Sequence, residues 1–186
     1  MFVILSGCQF SLPWLNDNKN PDNEVAEYQP SNEGNEGTAA PSQNNNIPGI
    51  ELRPTVLYLA DENNQGIVEL KTEIPKVVGI AKSAISHLVN DVANTHLITD
   101  SEMKLPLPSN TRVIGATVKE DGLCKIDFSK ELLNCTDKNH EQVAVDSIVY
   151  TLTEFETITS VQFMIEGEIK ATMTHGTDIS QPLKRK

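Results

Sequence analysis

Aromatic side chains are scarce in this sequence: five percent of 186 residues, with a single Trp at position 14. Recognition of wall glycan usually relies on exposed rings as stacking platforms, so few residues here suit that task. Basic residues are scarce as well, 15 Lys and Arg against 26 Asp and Glu, for a net charge of −11. Binding to nucleic acid needs clustered cations; no such stripe exists, and nucleic acid is excluded as a partner. The terminal LKRK is the one basic cluster, and it reads as a solvated end. No run of 18 apolar residues occurs, so no helix is expected to span a membrane.

Cysteine is limited to Cys8, Cys124 and Cys135, and no CxxC pair is present. His87, His96, His140 and His175 are scattered through different segments, without the spacing of a zinc pair. No metal site and no cofactor are expected. The acid pairs Asp61 with Glu62 and Glu120 with Asp121 fall in turns, where such residues serve solubility and local hydrogen bonding. DENNQG also lacks the ligand spacing of an EF-hand loop. SEMKLP and TMTHGTD hold Ser, Lys, His and Asp, but outside a GxSxG elbow or an SxxK frame. No catalytic residue is assigned, and the protein is not expected to be an enzyme.

What is present is a sharp change of texture near Ile50. Residues 9–50 are rich in Asn, Glu, Pro, Gly and Ser, and between Asn16 and Asn46 the only large apolar residues are Val25 and Tyr28. A segment of that composition buries too little apolar surface to offset its ordering entropy and reads as a disordered acidic tether. Residues 1–50 carry one Lys against six acids, so −5 of the charge lies there and −6 on the remainder. As a random coil the tether reaches about 35–40 Å. Residues 51–174 read as one domain, and 175–186 as a C-terminal tail.

Within the domain, Thr55–Leu59 reads as a strand. GIVELKTEIP follows with Val68, Leu70 and Ile74 opposed to Glu69, Lys71 and Glu73, the period of a half-buried strand. A helix is expected from Pro75, with Val77, Ile80, Ala81, Ala84, Ile85 and Leu88 on one stripe. The prolines of LPLPSNT mark a loop. RVIGATVKEDG and LCKIDF then form a hairpin turning at Asp121–Gly122. Ile114, Ala116 and Val118 on its first strand, and Cys124, Ile126 and Phe128 on its second, are expected to face the core. SKELLN suggests one helical turn capped by Ser129. NHEQVAVDSIVYTLTEF reads as a helix with Val145, Ile148, Val149 and Leu152 inward. In the last strand Val161, Phe163 and Ile165 oppose Gln162, Met164 and Glu166. The order β-β-α-β-β-α-β implies an α+β fold, a mixed sheet with two helices packed on one face.

LYLADENN at 57–64, LPSNT at 107–111, IDFS at 126–129 and SIVYTLTEF at 147–155, followed by ITSVQFMIEG, resemble the GerMN domain family of GerM-like sporulation and spore germination lipoproteins. The pieces occur in the family's order and cover nearly all of residues 52–168. The family often has Pro-Gly where this chain has Ser109 and Asn110, and NDVANTHLITDSEMK replaces its short Gly-Pro loop. The resemblance singles out Thr151, Leu152, Thr153, Glu154 and Phe155 as signature residues. Phe155 either closes the helix end against the sheet, with Thr153 or Glu154 orienting the turn, or forms part of a partner contact.

The resemblance implies no reaction. It implies an interaction or oligomerisation module outside the cytoplasm, serving sporulation, spore germination or cell-envelope assembly. The implied partners are envelope or sporulation membrane proteins, or further copies of the chain. A ligand-binding module for cell-wall glycan or a germinant is the alternative. Leu5, Ser6, Gly7 and Cys8 match the residue types of a lipobox in order, so Cys8 is the expected lipidation site and the membrane the expected anchor. MFVIL supplies neither the basic nor the apolar length of a signal, so either Met1 lies inside a longer signal peptide, with 1–8 its expected remnant, or the lipobox match is chance. Outside the cytoplasm Cys124 and Cys135 can pair as a disulfide; Cys124, at an alternating apolar position, also reads as a small buried hydrophobe.

Overall fold

The structure, a computed structural model, describes residues 51–99 and 102–186. The expectations for Cys8, for the signal remnant and for the tether lie outside the described residues.

The first two strands, β1 (Leu52–Asp61) and β2 (Ile67–Pro75), pair antiparallel with Leu57 opposite Leu70 and Leu59 opposite Val68. Asp61 closes the hairpin: its carboxylate accepts the N–H groups of Asn63 and Gln65 at 3.0 and 2.9 Å, and Asn64 takes a left-handed backbone at φ 53°. These bonds satisfy donors that a tight turn strands.

Pro75 is still in β2, opposite Leu52, so the helix does not begin there. α1 covers only Ile80–Ser86, because Gly79 before it sits at φ 82°, a conformation that interrupts a right-handed helix and suits glycine. Val77 consequently lies outside the helical stripe. After α1, Asp91 caps a 3-10 turn at Val92–Leu97 by accepting the Ala93 N–H. A two-residue strand, β3 (Met103–Lys104), then pairs with Ala60 and Asp61. In LPSNT, Asn110 stands at φ 64° and Thr111 N–H reaches the Pro108 carbonyl at 3.2 Å, so Asn fills a left-handed position.

Three strands form a second sheet: β4 (Val113–Val118), β5 (Leu123–Phe128) and β6 (Ser160–Ile165), in the order β4-β5-β6. β4 and β5 are antiparallel; β5 and β6 are parallel, joined through α2 (Lys138–Leu152), since parallel neighbours need a crossover. The α+β class holds and the second sheet is mixed. The strands nevertheless divide between two sheets, β2-β1-β3 and β4-β5-β6. Both helices lie where the sheets meet. α2 packs on β1 and also reaches β2 and β6, while α1 touches α2, β2 and β4.

α2 starts at Asp137, whose carboxylate accepts the His140 N–H at 3.0 Å, and buries Val145, Ile148, Val149 and Leu152 as its periodicity dictates. The core adds Cys124, Ile126 and Phe128 from β5 and Val161, Phe163 and Ile165 from β6, with the rings of Phe128 and Phe163 stacked at 6.0 Å. Burying one such side chain contributes about 1.5–3 kcal/mol. Ser129 does not cap the turn at Lys130–Leu133 with its side chain; its hydroxyl accepts the Arg112 N–H at 3.0 Å instead.

Residues 175–186 belong to the domain. Leu183 exchanges two backbone hydrogen bonds of 2.8 Å with Val161, covering the edge of β6. Ile179 is buried, and Gln162, expected on the outer face, is buried beneath this strap and donates to the Ile179 carbonyl at 3.2 Å. The buried Glu141 carboxylate holds the strap's start, accepting the N–H groups of His175 at 2.6 Å and Thr177 at 3.1 Å.

Candidate functional site

β4 departs from strict alternation. Its register shifts between Val113 and Gly115, so Val113 opposes Phe128 while Ala116 and Val118 oppose Ile126 and Cys124. Residues directly opposite share a face, and the extra residue of a bulge resets the alternation after it. Val113, Ala116 and Val118 therefore lie on the core side, and Ile114 does not. The three-residue core face expected at Ile114, Ala116 and Val118 is thus corrected: Ile114 is 48% exposed and Val118 41%. Val118 is on the core side yet remains open because nothing in the domain covers that end of the strand.

The open space beside it is a groove of about 560 Å³ between the start of α1, β4 and the turn that follows α2. Its apolar surface comes from Ile80, Ala81, Ala116, Val118, Phe155 and Ile158, and its charged rim from Arg53, Glu154 and Glu156. The Arg53 guanidinium lies over the Phe155 ring, 5.2 Å from the centroid, and Arg53, Glu154 and Phe155 also line a smaller hollow along β1 and β2. β4 pairs only with β5 among the described residues and so is an edge strand, and its Ala116 and Val118 line the groove. Leu52, Val77 and Val78 are exposed and lie next in sequence to the lining residues Arg53 and Gly79. An apolar depression with a polar rim is the usual form of a protein contact site.

Of the five signature residues, Glu154 and Phe155 line the groove, and Thr151, Leu152 and Thr153 lead into them at the end of α2. Thr151, fully buried, accepts the Tyr58 N–H from β1 at 3.0 Å, and Leu152 is in the core. Thr153 caps α2, its hydroxyl donating to the Val149 carbonyl at 2.8 Å. Phe155 is buried, and its carbonyl accepts the Ile158 N–H at 2.7 Å, which turns the chain toward β6. Glu154 accepts the Tyr58 hydroxyl at 3.0 Å and forms an ion pair with Arg185. The Arg185 hydrogen bond, ahead of that from Tyr58, holds the Glu154 carboxyl below the ordinary carboxylate range. Burial, then the bond to Glu154, pushes the Tyr58 hydroxyl up.

Arg53, Tyr58 and Arg185 carry no signal in the sequence as parts of this corner. LKRK reads as a solvated end, yet Arg185 is locked between Tyr58 and Tyr150, 5.3 and 4.7 Å from their centroids. Ile179 and Leu183 are the only large apolar residues of 175–186, and they are the available sign that this end packs.

Other candidates are placed elsewhere. Cys124 and Cys135 are free, buried thiols, and the bridge between them is not formed. Cys124 projects from β5 into the core, and Cys135 Sγ approaches the Leu132 carbonyl at 3.6 Å. Burial pushes Cys124 up to about 11; burial, with Glu141 and Asp137 nearby, pushes Cys135 up to about 12. Thiols that stay protonated are poor nucleophiles. His87, His96, His140 and His175 each bond a different backbone carbonyl, those of Ser83, Ala93, Pro106 and Cys135. Among the described residues no three metal-ligating side chains converge. Asp61 and Asp121 bond their own turns, Asp121 accepting the Leu123 N–H at 3.0 Å. No helix among the described residues is long and apolar enough to cross a membrane.

Comparison with known proteins follows the same residues. The profile of the family described as "Germane: Sporulation and spore germination" matches residues 56–171. The chain is 36% identical over 131 residues to the spore germination protein GerM of Bacillus subtilis (strain 168), covering 70% of this chain and 35% of that protein. It therefore spans about a third of the curated relative's length. Its fold matches the structure of the first GerMN domain of the sporulation protein GerM from Bacillus subtilis, with a TM-score of 0.64 and 34% identity. That match covers 72% of this chain and 98% of the other. The tandem GerMN domains of the same protein match with a TM-score of 0.65 and 33% identity over 72% and 46% of the two chains. The corner built by Tyr58, Thr151, Glu154 and Phe155 thus lies within a shared domain, and the chain belongs to the sporulation and spore germination family as a GerMN-domain protein.

Proposed function

We propose that this protein is a non-catalytic interaction module, held outside the cytoplasm by a lipid on Cys8, whose GerMN domain binds a protein partner of the cell envelope during sporulation or spore germination. The groove at the end of α2 carries this reading. It is apolar at its floor, charged at its rim and lined in part by an edge strand, and it presents no nucleophile or converging metal ligands. Family membership supports the biological setting. The order Leu5, Ser6, Gly7, Cys8 supports the anchor.

The test is site-specific photo-crosslinking in cells with a reactive side chain at Glu156, exposed on the rim, and a control at Val92, exposed on the 3-10 turn. Crosslinks to a protein from Glu156 alone uphold the reading. Absence of any Glu156 crosslink, or equal crosslinking from Val92, would reject it. The anchor has its own check: with the complete signal in place, Cys8→Ala releases the protein from membranes, and continued membrane binding rejects lipidation.

A further inference from the structure

The margin of the groove carries an apolar projection of its own. Between the end of β2 and the start of α1, Val77 is 47% exposed and Val78 is fully exposed. Gly79, the next residue, lines the groove. A β-branched residue is a poor choice for a turn, and Val78 buries nothing within its own domain, so neither local conformation nor folding accounts for it. Lys76, just before the pair, bonds the exposed Glu51 at 2.7 Å and remains more than half exposed. The groove's rim holds Glu156, together with Arg53 and with Glu154, which Arg185 already pairs.

The projection thus presents a cation followed by two aliphatic side chains, and the groove presents an apolar floor with the Glu156 carboxylate on its rim. We propose that the groove receives the Lys76–Val78 turn of a second copy of this chain. Projection and groove meet at Gly79, so a two-fold axis beside that residue puts each projection into the other copy's groove. That arrangement is an isologous contact that closes on itself. Val77 and Val78 then pack on Ile80, Val118 and Phe155, Lys76 faces Glu156, and the exposed Leu52 and Val118 are covered in the same step. A second copy satisfies both halves of the surface at once, since it brings both the apolar groove and the valine turn that complements it. The inference rests on the interaction role proposed above and names the partner.

Sedimentation velocity of the full chain over a range of concentrations tests it, with circular dichroism to verify folding. The wild type forms dimers as concentration rises. Val78→Asp weakens association by at least about tenfold, because a carboxylate cannot enter an apolar floor unpaired. Lys76→Glu and Glu156→Lys each weaken it, and the double reversal restores it, since opposite charges again meet. Val92→Asp, away from the groove, leaves it unchanged. A wild type that stays monomeric, a Val78→Asp variant that dimerises normally, or a double reversal without rescue would each overturn the proposal. Should the monomeric protein still crosslink another protein from Glu156, the interaction role stands and only self-pairing falls; without such crosslinks both fall.

Discussion

Arg185 lies over the face of Tyr150, its guanidinium carbon 4.7 Å from the ring centroid, and donates to the Tyr150 carbonyl at 2.9 Å. The same guanidinium reaches Tyr58 on β1 and Glu154 at the end of α2. One side chain therefore ties the strap to both elements. Removing it as Arg185→Ala costs about 1–2 kcal/mol, the range of a partly desolvated cation–π contact, read as a lower urea midpoint. Arg185 also holds the Glu154 carboxyl low. A carboxylate lowered on folding contributes stability above its unfolded pKa of about 4.3 and loses it as pH falls through the folded value. The variant accordingly loses part of the wild-type stability difference between neutral and acid pH. An unchanged acid slope would show that the ion pair does not act in solution.

Glu141 is fully buried, and its two oxygens accept from His175 and Thr177. Glu141→Ala leaves two N–H groups without partners at about 1–3 kcal/mol each. Amide exchange reads the effect locally: protection at His175 and Thr177 falls while that of β5 changes only by the global loss of stability. Glu141→Gln keeps one acceptor and gives an intermediate loss. Equal exchange in the wild type and Glu141→Ala would mean that the strap is held by Leu183 and Arg185 alone.

Much of this domain is legible in its sequence because local rules and tertiary demands agree there. The alternation of β2 and β5, the Asp-Gly hairpin and the apolar stripe of α2 each specify their element and its buried face. Elsewhere a long-range contact overrides the local pattern. Gln162 looks like an outward residue until the strap covers it, and β3 is too short to show any period. Which strands share a sheet is invisible to alternation, since one strand pattern fits either sheet. The groove was hidden for a sharper reason: a one-residue bulge at Ile114 and Gly115 changes which apolar residues share a face. Phe155 and Glu154 stood out from family resemblance, whereas Arg53 and Arg185 join them only through folding.

Gly122 holds the β4–β5 turn at φ 83°, and a β-carbon there would lie 2.6 Å from the Thr159 hydroxyl. Its carbonyl also accepts the Thr159 N–H at 2.9 Å, so the two segments cannot simply separate. Gly122→Ala costs about 2–4 kcal/mol, combining left-handed backbone strain with crowding. Thr159→Ala added to it relieves the crowding, and about 1–2 kcal/mol of backbone strain remains. Additive effects in this double-mutant cycle would show that the two residues do not meet.

The buried thiols give the domain an alkaline weakness. Cys124 and Cys135 titrate near 11 and 12 in the folded protein, against about 8.5 in an unfolded chain. Folding therefore favours the protonated thiols. Their contribution is fully present below pH of about 8.5 and is lost as pH rises, because the unfolded state then binds fewer protons than the native one. Each thiol contributes a slope approaching 1.4 kcal/mol per pH unit between its unfolded and folded values. Lys and Tyr also titrate in this range, so the informative quantity is a difference. Urea unfolding at pH 8 and pH 10 gives a larger fall for the wild type than for Cys124→Ala with Cys135→Ala, and each single variant lies between. Identical falls in all four proteins would mean that the thiols are not held neutral by the core. A disulfide in the folded protein would remove the thiol contribution as well, and reduction before unfolding separates the two cases: the steep fall then appears only in the reduced wild type.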